Sequence, residues 1–363
     1  MTAFLTIRGV RSVAVELPMA RALRTSAQTI DRATLLLIDL DTNEGVTGRA
    51  YLFCYLKAAA APIARMLQEA ARIVNGERLA PLELRTKLHR HFRLIGVQGI
   101  VRMAIAGLDV ACWDASAIAA GLPLVRMLGG VPKPVPAYNS NGLGLMAPEA
   151  AADEAEALLE GGFRAIKLRL GYPGLDADLA AVRAVRRRVS GNILLMVDFN
   201  QALTVAEAIR RGRALEGEGI YWIEEPIRHD DYPGNAEVAA ALATPVQIGE
   251  NFSGPQAMAA ALGAKACDYV MPDLERIGGV SGWQQAAALA AAAGIEMSSH
   301  LFPEISSHLL AATPTAHWLE YVDWANPILR EPVRIVDGAA VVPDRPGSGL
   351  EWDEDAVERY RIE

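Results

Sequence analysis

The sequence predicts an α/β chain: a barrel of parallel strand–helix units, with a smaller α+β unit set before it. Three observations predict this. Eight short strand-like runs, many of them β-branched, recur between residues 135 and 320, and alanine-rich amphipathic stretches follow the first seven. The preceding 130 residues instead read as strands followed by helices. In the N-terminal unit, Ile7–Leu17 and Ala33–Leu40 are strand-like, and Asn43-Glu44-Gly45 turns into a further strand. Helical patterns follow at about Ala58–Val74, Leu82–Phe92 and Val101–Ala120, the last stopped by Gly121-Leu122-Pro123. The barrel strands are Val135–Tyr138, Ala165–Leu170, Ile193–Asp198, Tyr221–Glu224, Val246–Glu250, Asp268–Met271, Ile295–Ser299 and Trp318–Glu320. Glu149–Glu160 and Leu175–Val189 exemplify the helices between them. The tail, Arg334–Asp344, alternates again around an Asp337-Gly338 turn and is expected to pack on the N-terminal unit. The division is 1–130, 131–330 and 331–363, in one compact subunit.

Composition narrows the partners. The 363 residues are 52% hydrophobic, and 35 Lys+Arg against 43 Asp+Glu leave a net charge of −8. An acidic chain without a long basic run argues against nucleic acid or an anionic membrane. The longest purely apolar run, Ala286–Ala293, falls far short of the ~20 residues of a membrane span. The N-terminus lacks a signal-peptide core and cleavage site. Cys54, Cys112 and Cys267 form no metal or disulfide pattern. Together these features point to a reducing cytoplasm.

The carboxylates carry the chemistry. Asp198, Glu224 and Glu250 each end a strand, 26 residues apart at each step, in MVDFN, WIEEP and QIGEN. One strand–helix unit per step brings three neighbouring strand ends together at the face where barrels place their sites. A single acid there is ordinarily a helix cap. Three that converge repel one another unless a hard dication sits among them, most simply Mg²⁺. Lys167 and Arg169 alternate on IKLRL and so point to one side, into the barrel. Asp273 and His300 fall on successive strand ends, where the acid would orient the imidazole as a general base. Glu320 closes the ring. His89, His91, His229, His308 and His317 are read as structural.

Over nearly its whole length the chain resembles the mandelate racemase subgroup of the enolase superfamily. The matching stretches are RMAIAGLDVACWD, FRAIKLRLGYP, MVDFNQ, WIEEP, GENFSGP, RIGGVSGW, MSSHLFPEISSHLLAATPTAHWLE and VVPDRPGSGL. The resemblance implies a (β/α)7β barrel under an α+β cap formed by the N-terminal part and the tail. It implies Mg²⁺ (or Mn²⁺) on Asp198, Glu224 and Glu250, with Lys167 near the metal and the substrate carboxylate. Asp273 and His300 would be the base dyad, and a protonated Glu320 would donate to that carboxylate. Ser140 and Asn200 would be polar neighbours. Removal of the proton α to the carboxylate of a 2-hydroxy acid is the implied reaction, and large homo-oligomers are the family's habit.

One position departs from the pattern. Racemases carry Lys-x-Lys on the second strand, where this chain has Lys167-Leu168-Arg169. Neutralising a Lys at pH 7 costs roughly 4 to 5 kcal/mol, and an Arg about 7 kcal/mol or more. That difference slows a second base by at least tens-fold. Aligning the cap loops by their flanking motifs puts Leu23, Ala27, Ile30, Phe53 and Tyr55 over the substrate, with Leu301 and Val322 from the barrel. Arg21, Arg24 and Gln28 lie in the same cap segment and leave room for a polar pole. The apolar wall favours a racemase of an aryl or apolar 2-hydroxy acid, with Arg169 on the second face. An acid-sugar dehydratase working from His300 alone is the alternative. A barrel that binds carboxylate or metal without turnover is the third reading.

Overall fold

The structure is a computed structural model and describes residues 4–362. Its N-terminal unit is an antiparallel sheet, β1 (Ile7–Arg24), β2 (Thr29–Thr42) and β3 (Thr47–Phe53), in that order. Helices α1 (Lys57–Val74), α2 (Pro81–Phe92) and α3 (Gly99–Ala119) follow, and the short α4 (Leu124–Met127) leads out. β2 is buried from Ala33 to Ile38, because helices pack on the sheet where a solvated face would alternate. α3 is buried without a break from Val101 to Cys112, since it lies between this sheet and the barrel helices. β3 comes so close that a Cβ on Gly48 would fall 2.0 Å from Ala111 O. Only glycine fits there.

The barrel strands are β4 (Val135–Asn139), β5 (Ala165–Arg169), β6 (Leu194–Asp198), β7 (Ile220–Glu224), β8 (Val246–Ile248), β9 (Tyr269–Val270), β10 (Glu296–Met297) and β11 (Leu319–Tyr321). All eight coincide with the expected runs. They pair in parallel in sequence order from β4 to β10, and β11 pairs with β4. The space between β10 and β11 is spanned by the Met297–Ala316 bridge and by Ser299 N–H donating to Trp318 O at 3.0 Å. The intervening helices are α5 (Pro148–Ala157), α6 (Leu175–Arg188), α7 (Val205–Leu215), α8 (Tyr232–Ala241), α9 (Pro255–Gly263), α10 (Leu274–Ile277), α11 (Gly279–Ala293) and α12 (Pro303–Ala311). None is long and apolar enough to cross a membrane. β8 stops short of Glu250 because Gly249, at φ +142°, turns the chain out of the ladder.

The tail corrects one expectation. The strands of Arg334–Asp344 join the barrel and not the N-terminal sheet, and only Asp344, paired with Arg126 on α4 at 3.2 Å, reaches the N-terminal unit. β12 (Ile335–Val336) and β13 (Ala339–Ala340) form a hairpin around Asp337 and Gly338, both at positive φ, and β13 pairs antiparallel with the start of β4. The first barrel strand has open backbone groups at that end, and the hairpin edge satisfies them. Beyond it the chain rejoins the cap. Ser348 N and Oγ donate to Asp114, Trp352 Nε1 donates to Asp39, and α13 (Glu354–Tyr360) lies beside β1.

His308 ties these parts together. Its Nδ1 accepts from Val125 N at 3.2 Å, so its Nε2–H donates to Ser348 O at 3.0 Å. Burial depresses its pKa to about 4, with the Arg345 charge adding to the effect against the pull of Ser348 O. The unfolded state, titrating near 6.5, therefore binds the proton first. This contribution is complete above pH 6.5 and fades as pH falls toward 4. A loss of roughly 2 kcal/mol is expected at pH 5. In urea titrations at pH 7.5 and 5, His308→Gln should remove about 2 kcal/mol of the stability lost on acidification while lowering stability at pH 7.5.

Candidate active site

Parallel pairing in register places Asp198, the last residue of β6, beside Glu224, the last of β7. Glu250 leans in from the loop after β8, and ligand oxygens of the three lie within 4.8 Å of one another. One ammonium faces them. Lys167 Nζ stands 2.5 Å from Glu224 Oε1, 2.9 Å from Glu320 Oε1 and 3.4 Å from Asp198 Oδ2. Burial lifts the Glu224 carboxyl to about 8; Lys167 pulls it down, while Asp198, Glu320 and Glu250 push it up. One lysine thus leaves the acids undercompensated. A donor set made only of carboxylate oxygens is what a hard dication takes. The angles of the acids are held from behind. Trp222 Nε1 donates to Glu224 Oε2 at 3.1 Å, and Asn200 donates from N and Nδ2 to Asp198 at 2.8 and 3.0 Å. Asn200 sits at φ +45°, which folds its amide back onto Asp198.

Asp273 caps α10, accepting at Oδ1 from Glu275 N at 2.8 Å and Arg276 N at 3.0 Å. Its Oδ2 is 2.7 Å from His300 Nδ1. Nδ1 therefore carries a proton, and Nε2 faces Glu250 Oε2 at 3.3 Å and Glu320 Oε2 at 3.8 Å. Burial opposes the imidazolium, but Glu250, Glu320 and Asp273 outweigh it and raise His300 to about 9.

Glu320 departs from expectation. Burial works to raise its pKa, but Lys167, His300 and the Leu301 N–H overcome this and lower it. Ser140 Oγ donates to its Oε1 at 2.7 Å and Leu301 N to its Oε2 at 2.9 Å. Donors on both oxygens and the neighbouring cations favour the carboxylate form of Glu320, where the resemblance implied a protonated donor.

Arg169 lies inside the barrel beside Lys167, as the alternation requires, and is only 4% exposed. Its Nη1 donates to Ser140 O at 3.0 Å and Gly142 O at 2.7 Å, and its Nη2 to Ser140 Oγ at 3.1 Å. The guanidinium holds the loop after β4.

A cavity of about 220 Å³ opens over these groups. Lys167, Arg169, Asp198, Glu250, His300, Asn200 and Glu320 line it, as do Leu23, Ala27, Ile30, Phe53, Tyr55 and Leu301. Val322 does not. It lies behind Phe53 and Leu301, in a crevice between cap and barrel. Ser140 is fully buried beneath Glu320 and Arg169, so it touches the site's residues but not its space. Of the cap's polar residues, Gln28 lines the cavity and Arg21 and Arg24 do not. Sequence reasoning missed Thr25, Gln201, Glu225, Asn251, Arg276 and Trp324. Glu225, Asn251 and Gln201 adjoin strand-end residues already singled out, and that adjacency was the available signal. Asn251 Nδ2 donates to Glu225 at 2.9 and 3.0 Å, Arg276 donates to Asn251 Oδ1, and Arg276 stacks 4.5 Å from the Tyr55 ring centre.

Fold and site define a member of the enolase superfamily whose acid trio could hold a metal ion. The chain belongs to the mandelate racemase/muconate lactonizing enzyme family: residues 7–129 match that family's N-terminal domain, and residues 150–356 match the enolase C-terminal domain-like family. A solved enolase from Bradyrhizobium, complexed with magnesium and mandelic acid, is 42% identical, covers 100% of both chains and superposes at a TM-score of 0.96. An enolase from the alpha-proteobacterium bal199 with bound magnesium is 46% identical over 99% of this chain and 100% of its own, at a TM-score of 0.97. The L-talarate/galactarate dehydratase of Salmonella typhimurium is 33% identical over 93% of this chain and 85% of its own.

Metal binding can be measured without turnover. Mg²⁺ at a hundred times its Kd should stabilise the fold by about 2.7 kcal/mol. In Glu224→Gln that increment, read as a Tm rise with added Mg²⁺, should largely disappear while the far-UV spectrum stays unchanged.

Proposed function

We propose that the chain takes the α-proton of a 2,3-dihydroxycarboxylate from one face only and completes the reaction as a dehydratase. The carrying observation is the engagement of Arg169. Its two terminal nitrogens donate to Ser140 and Gly142, and among the described residues no carboxylate oxygen lies within 4.0 Å of it, although Asp198 is its neighbour on β6. A guanidinium fixed in this way orders a loop and is a poor base. This reading reverses the preference drawn from the apolar wall alone. It gains support from the polar residues Thr25, Gln28, Gln201 and Asn251 around the cavity, which suit hydroxyls, and from the Salmonella dehydratase among the relatives.

In this reading Asp198, Glu224 and Glu250 hold Mg²⁺, which when bound supplies the Lewis acid that makes the Cα–H acidic enough for an imidazole. With a dication drawing off the charge of Glu250, His300 would be neutral, and its Nε2 would accept the α-proton while Asp273 fixes the Nδ1–H tautomer. Lys167 supplies positive charge beside the acids as charge develops on the substrate. The β-carbon–oxygen bond then breaks, and the hydroxyl leaves as water with the proton that His300 carries. The remaining enol rearranges to a 2-keto-3-deoxy acid, so one substrate gives one product and one water.

A specific observation favours a second reading. Leu23, Ala27, Ile30, Phe53, Tyr55, Leu301 and Trp324 form an apolar wall, and the Bradyrhizobium enolase holds mandelic acid. These suit racemisation of an aryl or apolar 2-hydroxy acid, with Arg169 returning the proton on the far face.

Incubation with Mg²⁺ in D₂O distinguishes the two. The expected outcome is a 2-keto-3-deoxy product from one or more aldonic or aldaric acids, with no loss of optical rotation from either mandelate enantiomer. Racemised, α-deuterated mandelate would instead establish the second reading. His300→Asn should slow the reaction by about 10²- to 10⁴-fold.

A further inference from the structure

Where α2 and α3 meet the loops after β8 and β9, a second charged cluster lies outside the site described above. Arg102, in the first turns of α3, is 8% exposed. Its guanidinium rests on two glycines: a Cβ on Gly254 would stand 2.7 Å from Nη1 and 3.0 Å from Cζ, and one on Gly278 3.5 Å from Nη1. Nε and Nη1 are both sealed from solvent without a hydrogen-bond partner, as is Nε of Arg85 on α2. His89 lies one turn beyond Arg85 and shares its face. Burial, Arg85 and Arg102 together hold His89 down at about 4, so the three groups sense one another.

What is missing is the counter-charge. Among the described residues neither arginine has a carboxylate within 4.0 Å. The acid that acts on Arg85 is Asp109, and its two oxygens already accept from Ser281 Oγ and Ser281 N. In a chain with 43 acids and 35 bases, leaving two adjacent guanidinium groups partly buried and unpaired is costly. An oxyanion at the edge of the cluster lowers the cost by its charge and by bonding the guanidinium nitrogens that are not sealed.

We infer that Arg102, Arg85 and His89 form a binding site for an oxyanion, a phosphate, sulfate or carboxylate group. Through Gly254 and Gly278 the site bears on the loops that follow Glu250 and Asp273, which are joined by Gly254 N–H donating to Arg276 O at 3.0 Å. The anion comes either free from solution or as a side-chain carboxylate of a second copy. Leu94, Ile95 and Ile100, all exposed between the end of α2 and the first turn of α3, would border such a contact.

The test uses the full chain without Mg²⁺, in sodium sulfate against sodium chloride at equal ionic strength. A saturable rise in Tm specific to sulfate is expected, together with a sulfate-dependent upward shift of the His89 titration in its NMR spectrum. Arg102→Gln should abolish the sulfate-specific rise and Arg85→Gln should reduce it. If Arg102→Gln does not fold, Arg85→Gln and the His89 titration carry the test. A rise that persists unchanged in the variants overturns the inference. If sulfate has no effect, sedimentation decides: an assembled wild type that Arg102→Gln or Arg85→Gln dissociates identifies the partner copy's carboxylate as the anion. An assembly state indifferent to both substitutions overturns the inference.

Discussion

Four carboxylates, Asp198, Glu224, Glu250 and Glu320, share the end of one barrel with a single buried ammonium, and the rest of the site follows from that excess of negative charge. Two unit charges 4 Å apart interact by about 4 kcal/mol at an effective dielectric of 20, so one lysine cannot quiet four acids. The excess invites a dication. It also explains why His300 is drawn toward its charged form, while Lys167 draws the fully buried Glu320 toward its carboxylate form. Trp222, Asn200, Ser140 and the Leu301 N–H each place a donor on one of these acids, which keeps the repelling oxygens from splaying apart.

The fold supplies this concentration of charge through backbone geometry. Parallel strands in register set Arg169 opposite Asp198 and Asp198 opposite Glu224, so consecutive strand ends become lateral neighbours. Where pairing alone would aim a side chain wrongly, a local departure corrects it. Gly249 turns Glu250 out of its strand, and Asp273 is pinned by the two N–H groups it caps. The cap is fastened to the same loops. Phe53 N donates to Glu275 on α10, and Tyr51 OH donates to Glu304 at the start of α12, so the strand presenting Phe53 and the segment presenting His300 are joined.

What could be read before the structure, and what could not, divides along a physical line. Strand existence was legible because β-branched runs alternate with amphipathic helices, and the acid trio because its spacing repeats one strand–helix unit. Lys167 and Arg169 were legible because strand alternation assigns a face. Depth was not. The family resemblance places Ser140 and Val322 near the site without revealing that one lies beneath Glu320 and the other behind Phe53. Gln201 escaped notice because it occupies a left-handed turn at φ +65°, which a non-glycine residue does not announce. The Ile335–Ala340 hairpin showed its turn but not its partner, since an open edge pairs with whichever strand offers free backbone groups. The ionisation of Glu320 depends on which donors reach it, and that is a property of three loops at once.

Arg169 shows how one substitution can reassign a whole face of a site. A lysine has a compact ammonium whose proton can be lost when buried, which suits a base. A guanidinium keeps its proton and offers five donors in a plane. Here it uses them on two carbonyls and a hydroxyl that belong to Ser140 and Gly142. The gain is an ordered loop. Leu145 N, further along that loop, donates to Arg24 O at 2.8 Å, so the loop also carries the cap hairpin that closes the cavity. The same hairpin leans on the barrel where Ser26 Oγ donates to Phe199 O at 3.4 Å. The residue that in a racemase pattern would move a proton is therefore a fixed brace between β5, the loop after β4 and the cap. In the proposed one-face reading, proton transfer is left to the other side of the site, where Asp273 and His300 stand in hydrogen-bonded register.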